Sequence, residues 1–314
     1  MVDTLFTNGV IAVKEKYLLG EKLLRLTEMT AEEALRALIE SGFGSGAETQ
    51  DGESLCGAEE RALDAFIREY APTNEEKVYL LAPRDFHNAK ALCKAEKLGS
   101  DAEKMLAPEG LIPVAELSSA IKNGEYFKFG EELGGAIKEA LDEGADGAQI
   151  GAVFDRALND HIALKCPRSR IIRKLLSDRA DRTNILTAMR AGDMEYAEKL
   201  FVGGGTLKNK DLAKILDGDG EKARRALEKT PFDGFYKLCL AAAEKGLPFT
   251  EAERALESCE AEYFRERRFE LEGREPFLYY VFRRRAEIAN VRIITVCLNA
   301  GLQAQDIKKR LRGI

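Results

Sequence analysis

Apolar residues recur at spacings of three and four along most of the chain, which is the pattern of helices that bury one face. Residues 31–38 show it clearly, because Ala34, Leu35 and Leu38 share one helix face. Convincing alternation of apolar and polar residues, typical of half-buried strands, does not occur. The pattern therefore predicts an all-α protein.

Helix-start chemistry supports this prediction. A threonine stands three residues before a glutamate at Thr30, Thr73 and Thr250, where the two side chains can bond exposed backbone N–H groups. A glycine-rich stretch after residue 41 predicts the end of the first of these helices and a loop over residues 42–54. Pro83 is expected to kink or interrupt a later helix, since proline lacks a backbone N–H.

A short motif recurs three times, about a hundred residues apart, in which an acidic residue precedes an asparagine by three positions. The copies are Asp85 with Asn88, Asp181 with Asn184, and Glu287 with Asn290. A cation follows the asparagine by two positions in the first and third copies, at Lys90 and Arg292. The recurrence predicts three homologous helical lobes, over residues 1–118, 119–213 and 214–314.

A structural role explains the motif better than a catalytic or metal-binding role does. An active site is needed once, and no histidine or second carboxylate recurs beside the copies. Carboxylate and amide groups can instead hydrogen-bond backbone groups at a neighbouring helix end, where each unsatisfied buried group costs about 1–3 kcal/mol. Replacing Asn88 or Asn184 is therefore expected to destabilise a lobe without removing any activity.

Composition narrows the possible functions. The 314 residues are 45% hydrophobic and 32% charged with a net charge of −6, and both signs are interleaved, so nucleic acid is not an expected partner. The longest stretch without charged residues, 293–305, is far shorter than the roughly 20 apolar residues of a membrane span. The first residues show no secretory signal, and the scattered cysteines are expected to be reduced in the cytoplasm.

Other candidate sites are unconvincing. His87 and His161 have no cysteine or carboxylate at metal-ligand spacing. Residues 217–228 resemble a calcium loop but have Lys222 where glycine is required, and residues 203–206 lack the lysine of a phosphate-binding loop. The arginine runs 283–285 and 265–268 are expected to be solvated helix faces, with polar loops of a membrane protein or lipid headgroups as alternative contacts. No catalytic residue, cofactor or metal is predicted.

Four segments resemble the C subunit of archaeal and bacterial V-type ATPases, whose family includes the eukaryotic d subunit. They are residues 8–19, 31–38, 85–92 and 203–207. The resemblance covers the whole length, and the family carries the acid-x-x-Asn helix in each of three lobes. Glu287 stands where the family often has aspartate.

The resemblance implies a funnel of three helical lobes around a pseudo-threefold axis, peripheral to the cytoplasmic face of the membrane. A protein of this family couples the central-stalk shaft subunits to the membrane rotor (proteolipid) ring of a proton- or sodium-transporting ATPase or ATP synthase. It has no catalytic site, cofactor, metal or small-molecule substrate of its own.

Two other function classes remain as alternatives. A soluble helical-repeat adaptor that binds a partner helix is one, although such repeats usually recur every 34–47 residues or so rather than about every hundred. An enzyme is the other, and it would require a compact pocket with convergent, strongly perturbed carboxylates.

Overall fold

The computed structural model describes residues 3–142, 147–217, 220–266 and 273–312. In chain order the helices are α1 Thr4–Lys14, α2 Lys22–Leu26, α3 Ala31–Glu40, α4 Gly52–Tyr70, α5 Asn74–Leu98, α6 Val114–Asn123, α7 Glu131–Leu141, α8 Gly147–Lys165, α9 Arg170–Arg190, α10 Met194–Leu200, α11 Asn209–Leu216, α12 Gly220–Leu227, α13 Asp233–Glu244, α14 Thr250–Glu257, α15 Cys259–Glu266, α16 Glu275–Asn299 and α17 Ala304–Lys308. These described residues contain no strand, and the all-α prediction is confirmed.

The helix boundaries follow local chemistry. At the start of α3, Thr30 and Glu33 form the predicted capping box. The helix ends at Ser41, and Gly42 then takes a left-handed conformation with φ of 81°. The following loop is shorter than predicted, because Asp51 caps α4, which already begins at Gly52. Pro83 lies inside α5, which continues through it, so the predicted interruption does not occur.

The chain divides into two compact units. Unit 1 combines residues Met1–Asn74 with Ser258–Ile314. Its central element is α16, which packs against α4 along much of its length and also against α1, α2, α3, α15 and α17. Phe66 on α4 stacks on Phe277 of α16 at a centroid distance of 5.6 Å and meets Tyr280 edge-on at 5.1 Å.

Unit 2 is the continuous segment Glu75–Glu257, and it contains two hydrophobic cores. The first is formed by α5 to α8 and includes the buried side chains of Phe86, Ile137 and Phe154. The second is formed by α9 to α14 and includes Leu212 and Tyr236. The helices that carry the first and second motif copies, α5 and α9, therefore contribute to different cores.

The predicted lobe boundaries near residues 118 and 213 do not coincide with the division between the units, which falls after residues 74 and 257. The division into three lobes concerns sequence repeats rather than compact units. It stays a prediction, as does the pseudo-threefold funnel. Among the described helices, none is both long enough and apolar enough to cross a bilayer.

Candidate functional site

The first copy of the motif fastens the loop between α5 and α6 onto α5. The Asp85 carboxylate accepts hydrogen bonds from the backbone N–H groups of Leu111 and Ile112, both at 3.0 Å. Asn88 makes a two-way contact with Ala107, accepting from its N–H at 2.8 Å and donating to its carbonyl at 3.2 Å. Both motif side chains are buried. The loop therefore satisfies its backbone groups on two helix side chains one turn apart.

The second copy repeats this geometry between α9 and the loop before α11. Asp181 accepts from the N–H of Thr206 at 2.8 Å, from its hydroxyl at 2.7 Å, and from the N–H of Leu207 at 2.9 Å. Asn184 accepts from the N–H of Val202 and donates to its carbonyl, both at 2.8 Å. We call this arrangement the acid–asparagine clamp.

A glycine stands just before the N–H groups that each aspartate accepts. A Cβ at Gly110 would collide with the Asp85 carboxylate and lie 2.6 Å from the Leu81 carbonyl oxygen. A Cβ at Gly205 would collide with the Asp181 carboxylate. Both loops can approach their helix closely only because this position has no side chain.

The third copy keeps the asparagine contact but changes the partner of the acid. Asn290 on α16 accepts from the N–H of Arg312 and donates to its carbonyl, both at 2.8 Å, as the asparagines of the other copies do. Glu287 instead accepts from the N–H of Leu19 at 2.5 Å. In unit 1 the acid thus holds the segment between α1 and α2, while the asparagine holds the segment after α17.

Glu287 also belongs to a buried ion cluster, which consists of Glu59, Arg284 and Glu287. The Arg284 guanidinium lies between the two carboxylates and bonds both of them, and it stacks over Phe43 with 5.2 Å to the ring centroid. Glu59 additionally accepts from the N–H of Gly44 at 2.7 Å. The arginine run 283–285 was expected to be solvated, but for Arg284 that expectation is wrong, because it is only 9% exposed.

Burial raises the pKa of Glu287, and the charge of Arg284 and the Leu19 N–H only partly oppose that effect. Burial acts to lower the pKa of Arg284, but the two carboxylates outweigh it and the pKa is raised overall. When all three groups are ionised, the cluster holds two negative charges and one positive charge. Sequence reasoning missed Glu59 and Arg284, because no local pattern shows that α4 and α16 face each other.

The two cations of the motif form ion pairs in different environments. Arg292 bonds Glu53 with two nitrogens, at 2.8 and 3.0 Å, and Glu60 with a third at 3.1 Å. The pKa of Arg292 is raised, chiefly by the hydrogen bonds to Glu53. Lys90 lies 3.6 Å from Asp155. The second copy has Leu186 at the corresponding position, so the cation is not part of the repeated contact.

Each of the two histidines makes a side-chain hydrogen bond, and the cysteines are buried in the helix packing. His87 bonds the Met105 carbonyl at 2.8 Å, and His161 bonds Glu132 at 3.2 Å. All six cysteines are free and buried, and burial raises the pKa of Cys56, Cys93 and Cys166 to about 12. Within the described residues, no group of three potential ligands is placed to hold a metal ion. Part of the calcium-loop candidate, residues 218 and 219, lies outside the described residues, as do residues 267 and 268 of the second arginine run.

A cavity of about 530 Å³ in unit 1 adjoins the ion cluster. Its lining is mixed in charge and includes Glu15, Glu21, Glu262, Glu287, Arg265, Arg283, Tyr279 and Asn290. Two of the carboxylates are already held in ion pairs, Glu15 by Arg283 at 3.0 Å and Glu287 by Arg284. These two carboxylates are therefore engaged in ion pairs with arginines of α16.

The profile of the ATP synthase (C/AC39) subunit family matches residues 7–310. The chain belongs to this family. The match covers nearly the whole sequence and includes every copy of the acid–asparagine clamp, so the resemblance to the C-subunit family of V-type ATPases is confirmed. Among curated proteins, no significant match to this C/AC39 subunit was found.

In each clamp the motif side chains bond backbone atoms of a neighbouring segment. Each of these asparagines donates one amide N–H and accepts one backbone N–H at a single loop residue, and both aspartates accept from two successive N–H groups. Such contacts fix loops between helices and resist local opening.

Proposed function

We propose that the chain is a non-catalytic central-stalk subunit of a V-type proton- or sodium-transporting ATPase or ATP synthase. In this role it couples the shaft subunits to the membrane rotor (proteolipid) ring and is peripheral to the cytoplasmic face of the membrane. The observation that carries the proposal is the family match over residues 7–310. A part that transmits torque needs stiffness and large interfaces rather than a reactive group.

Two features of the structure support such a mechanical role. The clamp side chains are buried and bonded to backbone atoms, which holds the connecting loops against the long helices α5, α9 and α16. The long-range ion pairs of Arg284 and Arg292 join α16 to α4 within unit 1. Close-packed interiors of this kind transmit strain with little deformation.

The proposal is tested by partner binding with purified components. The chain is mixed with the detergent-solubilised rotor ring, and separately with the soluble central-stalk subunits from the same source, and co-migration is followed on a density gradient. Empty detergent micelles serve as the control for the ring. We expect binding to both partners and no ATP hydrolysis by the isolated chain. Binding to neither intact partner would refute the coupling role and favour the helical adaptor.

A further inference from the structure

The described arginines of the two runs are engaged within the protein, but a different group of cations is free. Between Asp160 and Asp178 the chain has five basic residues and no acidic one. They lie at the corner where α8 ends and α9 begins: Lys165, Arg168, Arg170, Arg173 and Lys174. All five are exposed, and we call them the basic corner.

Four of these cations have no ion pair within the described part of the chain. Lys174 bonds Asp178 at 2.7 Å, whereas the side chains of Lys165, Arg168, Arg170 and Arg173 have no acidic partner there. Glu75 on α5 accepts the backbone N–H of Arg168 at 3.0 Å rather than its guanidinium. The protein has a net charge of −6, but about four surplus positive charges lie together here. They create a positive local potential that attracts anionic groups.

The corner is held rigidly although its side chains are free. Cys166, Ser169 and Ile172 alternate with the exposed cations and are buried. The Ser169 hydroxyl accepts the Ile172 N–H at 3.3 Å, and the Cys166 thiol bonds the Glu75 carbonyl at 3.3 Å. The cations therefore project from a fixed backbone, which lowers the entropy lost when they bind a partner.

We infer that the basic corner is a docking surface for an acidic helical segment of a partner protein subunit. Arg170 and Arg173 are three residues apart on α9 and share one face, so their spacing matches acidic side chains one turn apart on a facing helix. Guanidinium groups bind carboxylates with two parallel hydrogen bonds. Leu164, 60% exposed at the end of α8, offers one apolar contact beside them. The inference rests on the proposed function because it requires a partner chain in the same complex.

A protein partner is favoured over a membrane surface by charge. The net charge of −6 repels an anionic bilayer, and a single exposed leucine adds little insertion energy. A partner helix needs to match only the corner, so the negative charge elsewhere does not oppose it. Family membership in a multisubunit ATPase supplies protein partners.

The test compares two fourfold variants with the same change in net charge. The first neutralises the corner as Lys165→Gln, Arg168→Gln, Arg170→Gln and Arg173→Gln. The control neutralises exposed cations that each have an acid four residues away, as Arg36→Gln, Lys199→Gln, Arg225→Gln and Lys237→Gln. Both should fold, because all the altered side chains are exposed. Thermal unfolding checks this directly.

Affinity of each variant is measured for ATPase complex from which the native chain has been removed. We expect the corner variant to bind at least about tenfold more weakly at low salt and the control to change less than about threefold. The difference should shrink as salt rises from about 50 to 300 mM, because exposed charges become screened. Equal loss in both variants, or no loss in either, would overturn the inference. Failure of the unaltered chain to bind would instead refute the proposed function, and the docking surface with it.

A photo-crosslinking residue in place of Leu164 identifies what contacts the basic corner in the assembled complex. We expect an adduct with a protein subunit whose crosslinked helix has more acidic than basic residues. A lipid adduct would overturn the inference in favour of a membrane contact, and a protein segment without acidic excess would overturn it as well.

Discussion

The asparagines of the acid–asparagine clamp illustrate how a polar side chain becomes essential once it is buried. Asn184 is 5% exposed, and its amide bonds both polar groups of the Val202 backbone. An amide carries a donor and an acceptor side by side, so it can bond the N–H and the carbonyl of one backbone residue. Asn88 and Asn290 make the same pair of bonds with Ala107 and Arg312.

Asn184→Ala should lower the free energy of unfolding by about 2–4 kcal/mol, because it leaves a buried N–H and a buried carbonyl without partners. Urea denaturation measures the change. Asn123→Ala is the matched control, since its exposed amide bonds only the Ser119 hydroxyl, and it should change stability by less than about 0.5 kcal/mol. Equal midpoints for Asn184→Ala and the unaltered chain would contradict the role given to the clamp.

Arg283 and Arg284 are adjacent in sequence but should contribute very differently to the free energy of unfolding. Arg284→Ala leaves Glu59 and Glu287 buried without their shared cation, and we expect a loss of about 3–5 kcal/mol. Arg283→Ala removes a half-exposed pair with Glu15 and should cost about 1 kcal/mol or less. Chemical denaturation of the two variants side by side measures both losses of unfolding free energy. Similar losses would contradict the stabilising role given to the buried ion cluster.

The raised pKa of Glu287 predicts a pH dependence of stability. Unfolding removes the burial and returns the pKa to its ordinary value, so the folded chain binds more protons in the window just above that value. The contribution of Glu287 to stability is therefore present at low pH and is lost as pH rises through the raised pKa. Glu287→Gln can still accept the Leu19 N–H but cannot titrate.

The free energy of unfolding of the unaltered chain, relative to that of Glu287→Gln, should consequently fall as pH rises from the ordinary glutamate pKa through the raised pKa of Glu287. Denaturation curves of both proteins across this range measure the difference. A constant difference would mean that the pKa of Glu287 is the same in the folded and unfolded chain.

At the scale of elements, two loops of unit 2 are fixed to its helices by side-chain hydrogen bonds. The loops before α6 and α11 each pass a helix at a glycine, Gly110 or Gly205, and then donate two successive N–H groups to an aspartate. Loop and helix are thus one structural piece, as the proposed coupling role would require.

Gly205→Ala should destabilise the protein by about 1–3 kcal/mol, because the added Cβ would push the loop away from the Asp181 carboxylate. Gly203→Ala, two residues earlier in the same loop, is the control, since a Cβ there has open space. Thermal or urea unfolding should separate the two. A larger loss in Gly203→Ala would place the close approach elsewhere in the loop.

At the scale of the whole molecule, unit 2 is a single continuous segment that interrupts unit 1 in the sequence. The helices of residues 1–74 have α16 as their central packing partner, and α16 comes from the other end of the chain. Residues 75–257 contain both of their own cores and need no distant segment to complete them.

A fragment of residues 75–257 should therefore fold alone, with a helical circular dichroism spectrum and cooperative unfolding. A fragment of residues 1–74 should have little stable helix, and adding residues 258–314 should restore it, because α16 then covers α4 and α1. Cooperative unfolding of residues 1–74 alone would show that its core does not depend on α16.

The sequence by itself determined the helical class, the helix start at Thr30 and the recurrence of the acid-x-x-Asn motif, because these depend on side chains a few residues apart. The capping box at Thr30 and the left-handed turn at Gly42 are local in this sense, and both are present in the structure. Family membership was also accessible, since it follows from residues at fixed positions along the chain.

Only the tertiary structure decided which charges are buried and which backbone atoms the motifs hold. Arg284 and Arg283 are adjacent in sequence, yet one lies in the buried ion cluster and the other is half-exposed, because α4 covers only one face of α16. Glu287 bonds Leu19 across 268 residues, a pairing that no local spacing encodes. Burial and long-range pairing are properties of the packed chain, and they decide whether a charge stabilises the interior or remains free to bind a partner.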